Sequence, residues 1–175
     1  IWKCILSVYR RKLVESIISY THPKIMKPTV FVSFDYDNDK HYKYLLEAWN
    51  KNPKFQFVFE DGTPQEIDSY NVGRIKAALT LKIKEATHTL VIVGKHANDF
   101  HSKRSLIGYR NWINFEIAKS IELGKRIVAI KLDRNYESPE ALTGANASWA
   151  YSFTEENIIK ALEAAPYPGL IRRYG

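Results

Sequence analysis

Two short segments of the sequence carry side chains whose types and spacing could do chemistry. Residues 35–39, DYDND, are acidic and directly follow an apolar run. Trp112 and Glu116 lie four residues apart in a segment with helical periodicity, so both side chains share one helix face and can line one pocket. Closely spaced carboxylates without further ligands are more typical of a solvated turn and helix cap than of a divalent metal site. We therefore predict no metal site.

On residue types alone, a structural interpretation of Glu116 is favoured. A glutamate in the first turns of a helix is commonly a solvated residue that the helix dipole stabilises. Trp112 is expected to be buried, because large aromatic side chains on an inward-facing stripe normally pack in the core. The histidines show no zinc-ligand spacing and no neighbouring nucleophile, so we assign no role to His22, His41, His88, His96 and His101.

Strands and helices alternate along the chain and must position these residues. Apolar, β-branched runs predict strands at residues 29–34, 55–59, 88–93 and 127–132, and a short strand at 149–153. Helical periodicity predicts helices at residues 41–51, capped by Asn38 or Asp39, at 72–86, at 111–123, stopped by Gly124, and after the cap Thr154.

This alternation predicts right-handed crossovers and a parallel sheet. We expect an α/β, flavodoxin-like, doubly wound sheet of order 2-1-3-4, with the short fifth strand as a candidate edge. Such folds bind ligands at the carboxyl ends of their strands. The polar segment 95–110, which follows the third strand, is therefore predicted to be a loop that forms a pocket wall.

The sequence lacks the signatures of three protein classes that commonly have such sheets. A dinucleotide-binding turn needs glycines after the first strand, and residues 35–39 contain none. A phosphoreceiver needs an aspartate at the tip of the third strand, where this sequence has Val93, Gly94 and Lys95. The glycines are also not spaced as in a P-loop. Nucleoside triphosphate hydrolysis is not indicated.

The positive charge of the chain is concentrated at its beginning. Of a net +7, +4 lies in residues 1–25, so we expect no nucleic-acid binding by the body of the domain. Residues 1–25 have the periodicity of an amphipathic helix with a basic outer face, which either packs on the domain or touches a membrane surface; packing is favoured, and we expect no membrane partner. We predict a helical extension at 1–25, one domain at 26–165 and a tail at 166–175. The single cysteine, Cys4, favours the cytoplasm.

Three motifs in collinear order resemble the TIR-like (Toll/interleukin-1 receptor-like) domains of the bacterial Thoeris antiphage-defence family. The first is FVSFDY at residues 31–36, followed by Asp39. The second is RNWINFEIAKSI at residues 110–121, in which tryptophan precedes glutamate by four residues at a helix start. The third is GKRIVAI at residues 124–130, the turn into the fourth strand.

The resemblance implies a signalling domain that cleaves or cyclises NAD at the bond between nicotinamide and ribose. NAD is then a substrate, and no cofactor is implied. Glu116 would be catalytic, beside a hollow at the tip of the first strand, and the substrate-binding residues would be Ser33, Phe34, Asp35, Tyr36 and Trp112.

The resemblance also implies a homo-oligomer that forms through TIR–TIR contacts. The alternative function is a non-catalytic TIR-like interaction module in signal transduction. The basic side chains between Gly94 and Trp112 have two interpretations, phosphate binding or loop solubility.

Overall fold

The computed structural model describes residues 27–53, 55–61 and 70–168. The predicted helical extension at 1–25 lies outside the described residues, as does most of the predicted tail. Among the described residues, no helix is both long and apolar enough to cross a membrane.

Within these described ranges, five parallel strands form one sheet in the order β2-β1-β3-β4-β5. This order confirms the predicted doubly wound sheet and places the fifth strand at its edge. The strands are β1 (Thr29–Ser33), β2 (Val58–Asp61), β3 (His88–Val93), β4 (Arg126–Lys131) and β5 (Ser148–Ala150).

Helices cover both faces of this sheet. They are α1 (Tyr36–Asn50), α2 (Val72–Glu85), α3 (Arg104–Ile107), α4 (Trp112–Glu122) and α5 (Glu155–Ala164), with a 3₁₀ turn at Glu140–Leu142. On one face, Leu46 of α1 and Leu162 of α5 pack in a core that includes Val30. On the other face, α2 packs against Phe31 and α4 against Val91. Burial on both faces explains why the strands have continuous apolar runs instead of alternating ones.

Three predicted boundaries differ from the structure by three residues or more, and one of them is the end of the fifth strand, at Ala150 instead of residue 153. The first helix begins at Tyr36 instead of residue 41, because the Asp35 side chain caps it and not Asn38 or Asp39. The second strand begins at Val58 instead of residue 55. Phe55 and Phe57 are buried, as their alternation indicates, but they precede the strand pairing.

The two long helices in the second half of the chain, α4 and α5, follow the prediction more closely. Gly124 lies just beyond α4 with φ of 66°, a left-handed conformation that glycine adopts without strain. The Thr154 side chain accepts a hydrogen bond from the backbone N–H of Asn157 and caps α5, as predicted. The segment 95–110 contains the short helix α3, which the sequence did not predict.

Candidate functional site

One side of the candidate site is the connection between β1 and α1. The Asp35 side chain accepts hydrogen bonds from the backbone N–H of Asp37 at 3.0 Å and from Nδ2 of Asn38 at 2.8 Å. Phe34 is buried and Tyr36 is half-buried, with their ring centroids 6.4 Å apart. The side-chain cap therefore fixes where the chain leaves the sheet and where both rings lie.

The opposite side is the start of α4. Its N-cap is Asn111, whose side chain accepts a hydrogen bond from the backbone N–H of Asn114 at 2.9 Å. Trp112 is half-buried, whereas Glu116, about one turn later, is only 2% exposed. Ser33 is fully buried, and its Oγ donates a hydrogen bond to Oε2 of Glu116 at 2.5 Å. This bond joins the end of β1 to α4.

A network of buried asparagines fixes the segment between β3 and α4. Nδ2 of Asn111 donates to the carbonyl oxygens of Ala97 at 3.0 Å and Asp99 at 2.9 Å. Nδ2 of Asn114 donates to Oδ1 of Asn98 at 3.2 Å. Oδ1 of Asn98 and Oδ1 of Asn114 also accept backbone N–H groups of the 3₁₀ turn, at 3.1 and 2.9 Å. The segment is therefore a fixed wall, because its buried polar groups are paired.

A cleft of about 230 Å³ opens between these two sides. It brings together four of the six predicted site residues, Phe34, Asp35, Tyr36 and Trp112. Ser33 and Glu116 are not among the lining residues, because both side chains are buried. The other lining residues are Asp37, Asn38, His96, Asp99, Phe100, His101, Asn111 and Ile113.

The cleft is aromatic and acidic. Its lining includes four phenyl, phenol or indole rings and three aspartates, and among the described lining residues there is no lysine or arginine. The guanidinium groups of Arg104 and Arg110 instead lie over the Phe100 ring, 5.0 and 4.0 Å from its centroid. Nε of Arg110 also donates to the carbonyl oxygen of Asn98 at 2.5 Å. These two arginines of the segment are thus engaged in holding the wall.

Two histidines that the sequence analysis left without a role line the cleft. The Nδ1 atom of His96 lies 2.7 Å from Oδ2 of Asp99. Burial and then the charge of Lys103 lower the pKa of His101, which favours its neutral form. His88 is different, because it lies at the start of β3, away from the cleft, where burial lowers its pKa to about 4. The sequence feature that could have predicted that His96 and His101 line the cleft is their position in the segment after β3, and not their spacing.

Asp39 is a further buried acid beside the cleft. It is 6% exposed, and burial, with a smaller contribution from Asp35, raises its pKa to about 6. It lines an adjoining hollow of about 330 Å³ that shares Asn38 and His96 with the cleft. A Cβ atom on Gly94 would lie 2.0 Å from Oδ2 of Asp39, so a glycine is needed there. Among the residues that the structure describes, no group of three or more potential ligand side chains could hold a metal ion.

Two solved structures that are similar to this chain differ in how closely they follow its architecture. A 2-deoxyribosyltransferase from Bacillus psychrosaccharolyticus has a TM-score of 0.53 at 13% identity, over 81% of this chain and 99% of that chain. A prokaryotic SEFIR domain has a TM-score of 0.46 at 18% identity, over 78% of this chain and 94% of that chain. At such low identity, the first of these likenesses shows the fold alone.

The sequence comparisons concern the family. No curated protein matches the chain significantly. The family described as Thoeris protein ThsB, TIR-like domain, matches residues 31–137, a stretch that includes the end of β1, the buried asparagines and Glu116. The chain therefore belongs to the family of Thoeris ThsB TIR-like domains.

Proposed function

We propose that this chain is a TIR-like signalling domain that cleaves or cyclises NAD at the nicotinamide–ribose bond in antiphage defence. The observation that carries the proposal is the hydrogen bond from Ser33 to Glu116, 2.5 Å long, beside an aromatic and acidic cleft. The nicotinamide ring of NAD is cationic until the bond breaks. Aromatic faces and carboxylates are the groups that attract such a ring.

The reaction needs little from the protein beyond one positioned carboxylate. The C1′–N bond breaks with its electron pair passing to the ring nitrogen, so neutral nicotinamide leaves without a general acid. Positive charge then develops on the ribose, and the Glu116 carboxylate would stabilise it. A water molecule, or another nucleophilic group of the same nucleotide, adds at C1′ and loses its proton.

The cleft encloses part of the nucleotide. Its volume of about 230 Å³ is below the ~300 Å³ at which pockets begin to enclose drug-sized ligands. We assign the cleft to the nicotinamide and its ribose. The rest of the NAD molecule is assigned to the adjoining hollow that shares Asn38 and His96 with the cleft. Since Glu116 is 2% exposed and does not line the cleft, the proposed reaction requires that nucleotide binding uncover its carboxylate.

The same burial favours the second candidate, a non-catalytic TIR-like interaction module. In that case the bond between Ser33 and Glu116 would simply hold β1 against α4. Both candidates include homotypic TIR–TIR contacts as the mode of assembly. We also propose a cytoplasmic location, where the single cysteine of the sequence would stay reduced.

Nicotinamide release separates the two candidates. The full chain is incubated with NAD, both dilute and concentrated enough to self-assemble, and nicotinamide is quantified by chromatography. We expect Glu116→Gln to lower kcat by about 10²- to 10³-fold, since electrostatic stabilisation of the transition state is removed. Glu122→Gln is the matched control, because Glu122 lies on the same helix and is exposed. No release by the wild type under either condition would favour the interaction module, whereas equal rates of release for wild type and Glu116→Gln would show that Glu116 is not the catalytic residue.

A further inference from the structure

His101 projects from the fixed wall into the cleft. It is half-buried, and its ring centroid lies 6.4 Å from that of Trp112 at an interplanar angle of 71°. This edge-to-face arrangement is typical of packed aromatic pairs. The imidazole and the indole therefore form one corner of the cleft.

The backbone determines which nitrogen of His101 carries the proton. The backbone N–H of Lys103 donates to Nδ1 of His101 at 3.0 Å, so Nδ1 presents its lone pair and the neutral ring carries its hydrogen on Nε2. Burial and the nearby Lys103 lower the pKa of His101, which keeps the ring neutral at neutral pH. The ring therefore offers one N–H donor, at Nε2.

The backbone around this donor is held in place. The backbone N–H of His101 donates to the carbonyl oxygen of Arg110 at 3.0 Å, and the Asn111 side chain binds the carbonyl oxygen of Asp99. A donor on such a wall is oriented before the ligand arrives, so little conformational entropy is lost on binding.

We propose that His101 is a specificity-determining residue whose Nε2–H donates a hydrogen bond to the carboxamide oxygen of the nicotinamide ring. This inference rests on the proposed function for the identity of the substrate. A primary carboxamide has an acceptor oxygen and a donor NH₂ group. The acids Asp35, Asp37 and Asp99 in the cleft can accept hydrogen bonds but do not supply a donor when ionised. They also disfavour a ring that bears a carboxylate in place of the carboxamide.

Two substitutions separate this role from a structural one. In His101→Gln the side-chain amide reaches the position of Nε2 and can donate there, but the acceptor for Lys103 is lost. In His101→Asn the side-chain oxygen can still accept from Lys103, but no donor reaches into the cleft. We expect KM for NAD to rise about 10-fold in His101→Asn and less than about 3-fold in His101→Gln. A structural role in the turn gives the opposite order, which would overturn the inference.

A substrate analogue tests the contact itself. For a dinucleotide with an unsubstituted pyridinium ring, we expect wild type, His101→Asn and His101→Gln to have KM values within about twofold of each other, because there is no carboxamide to recognise. A 10-fold effect of His101→Asn on this analogue as well would contradict the proposed contact.

Nuclear magnetic resonance of the full chain with ¹⁵N-labelled histidine tests the recognition of the carboxamide independently of NAD cleavage. We expect His101 to be the Nε2–H tautomer and its Nε2 signal to shift when nicotinamide is added. If the wild type releases no nicotinamide but this shift occurs, the reaction is wrong and the recognition stands. If the wild type releases nicotinamide but His101 is the Nδ1–H tautomer or does not shift, the recognition is wrong and the reaction stands.

Discussion

Two of the acidic side chains that the structure describes are buried at the carboxyl edge of the sheet, and the protein accommodates them differently. Glu116 on α4 is 2% exposed and accepts a hydrogen bond from Ser33 on β1. Asp39 on α1 is 6% exposed, and among the described residues its Oδ2 atom has no hydrogen-bond partner. Space for Asp39 exists because Gly94 has no side chain.

The comparison shows that two acids buried at one edge of the sheet are held by different contacts. The hydroxyl of Ser33 orients Glu116 and links it to the strand tip where the cleft begins. Asp39 has no such link, and burial raises its pKa to about 6. We therefore expect the free energy of unfolding to depend on pH and on steric change through Asp39. Through Glu116 we expect it to depend on the Ser33 hydroxyl.

The largest expected effect is the pH dependence of stability at Asp39. Because the pKa is about 6 in the folded state and 3.8 for an aspartate in water, the folded chain keeps the proton over a range where the unfolded chain has lost it. This contribution to stability is full below about pH 4 and is lost as the pH rises through about 6. A shift of this size corresponds to about 3 kcal/mol.

The measurement is urea unfolding of wild type and Asp39→Asn at intervals from pH 4 to 7. The free energy of unfolding of the wild type should fall relative to that of the variant across this range. Asp37→Asn is the control, because Asp37 lies on the same helix and is exposed. A constant difference between wild type and Asp39→Asn would contradict the raised pKa of this buried acid.

The next effect is steric. Gly94→Ala places a Cβ atom 2.0 Å from Oδ2 and 2.6 Å from Cγ of Asp39, so the carboxyl group must move within a packed site. We expect the free energy of unfolding to fall by about 2 kcal/mol, as for other overpacked sites. In an Asp39→Ala background the same substitution should have a much smaller effect. Additive effects of the two substitutions in denaturant unfolding would show that they do not clash.

The fold was predictable where the sequence contains continuous apolar runs, because such runs indicate strands that are buried on both faces. The strands β3 and β4 are apolar runs buried on both faces, and Gly124 marks the end of α4, so the order of these elements followed from the sequence. The burial of Glu116 did not follow, because its residue type and helix position favoured a solvated side chain. The start of α1 was less predictable, because Asp35, Asn38 and Asp39 are all able to cap a helix and only their three-dimensional positions distinguish them.

Most of the site depends on contacts between residues distant in sequence. The hydrogen bond between Asn98 and Asn114 and the bonds to the 3₁₀ turn form only after α4 packs beside the sheet. Sequence spacing contains no information on them. The tautomer of His101 likewise depends on the turn that brings the Lys103 N–H to Nδ1.

The smallest of these effects is the loss of the Ser33 hydroxyl. Ser33→Ala removes the donor to Oε2 of Glu116 inside a fully buried site, and we expect the free energy of unfolding to fall by about 1.5 kcal/mol. In a Glu116→Gln background the loss should be smaller, because the hydroxyl then contacts a neutral amide instead of an acid. Urea unfolding of the four proteins gives the coupling energy, which we expect to be about 1 kcal/mol.

Activity gives this last prediction a second readout. If Ser33 orients Glu116, Ser33→Ala should lower kcat for nicotinamide release and leave KM for NAD nearly unchanged, because the hydroxyl does not line the cleft. A rise in KM with unchanged kcat would instead mean that Ser33 contacts the bound nucleotide, as the family resemblance implied. In that case the hydrogen bond from Ser33 to Glu116 would break when the nucleotide binds. Glu116 would then differ from Asp39 also in exchanging its hydrogen-bond partner during the reaction.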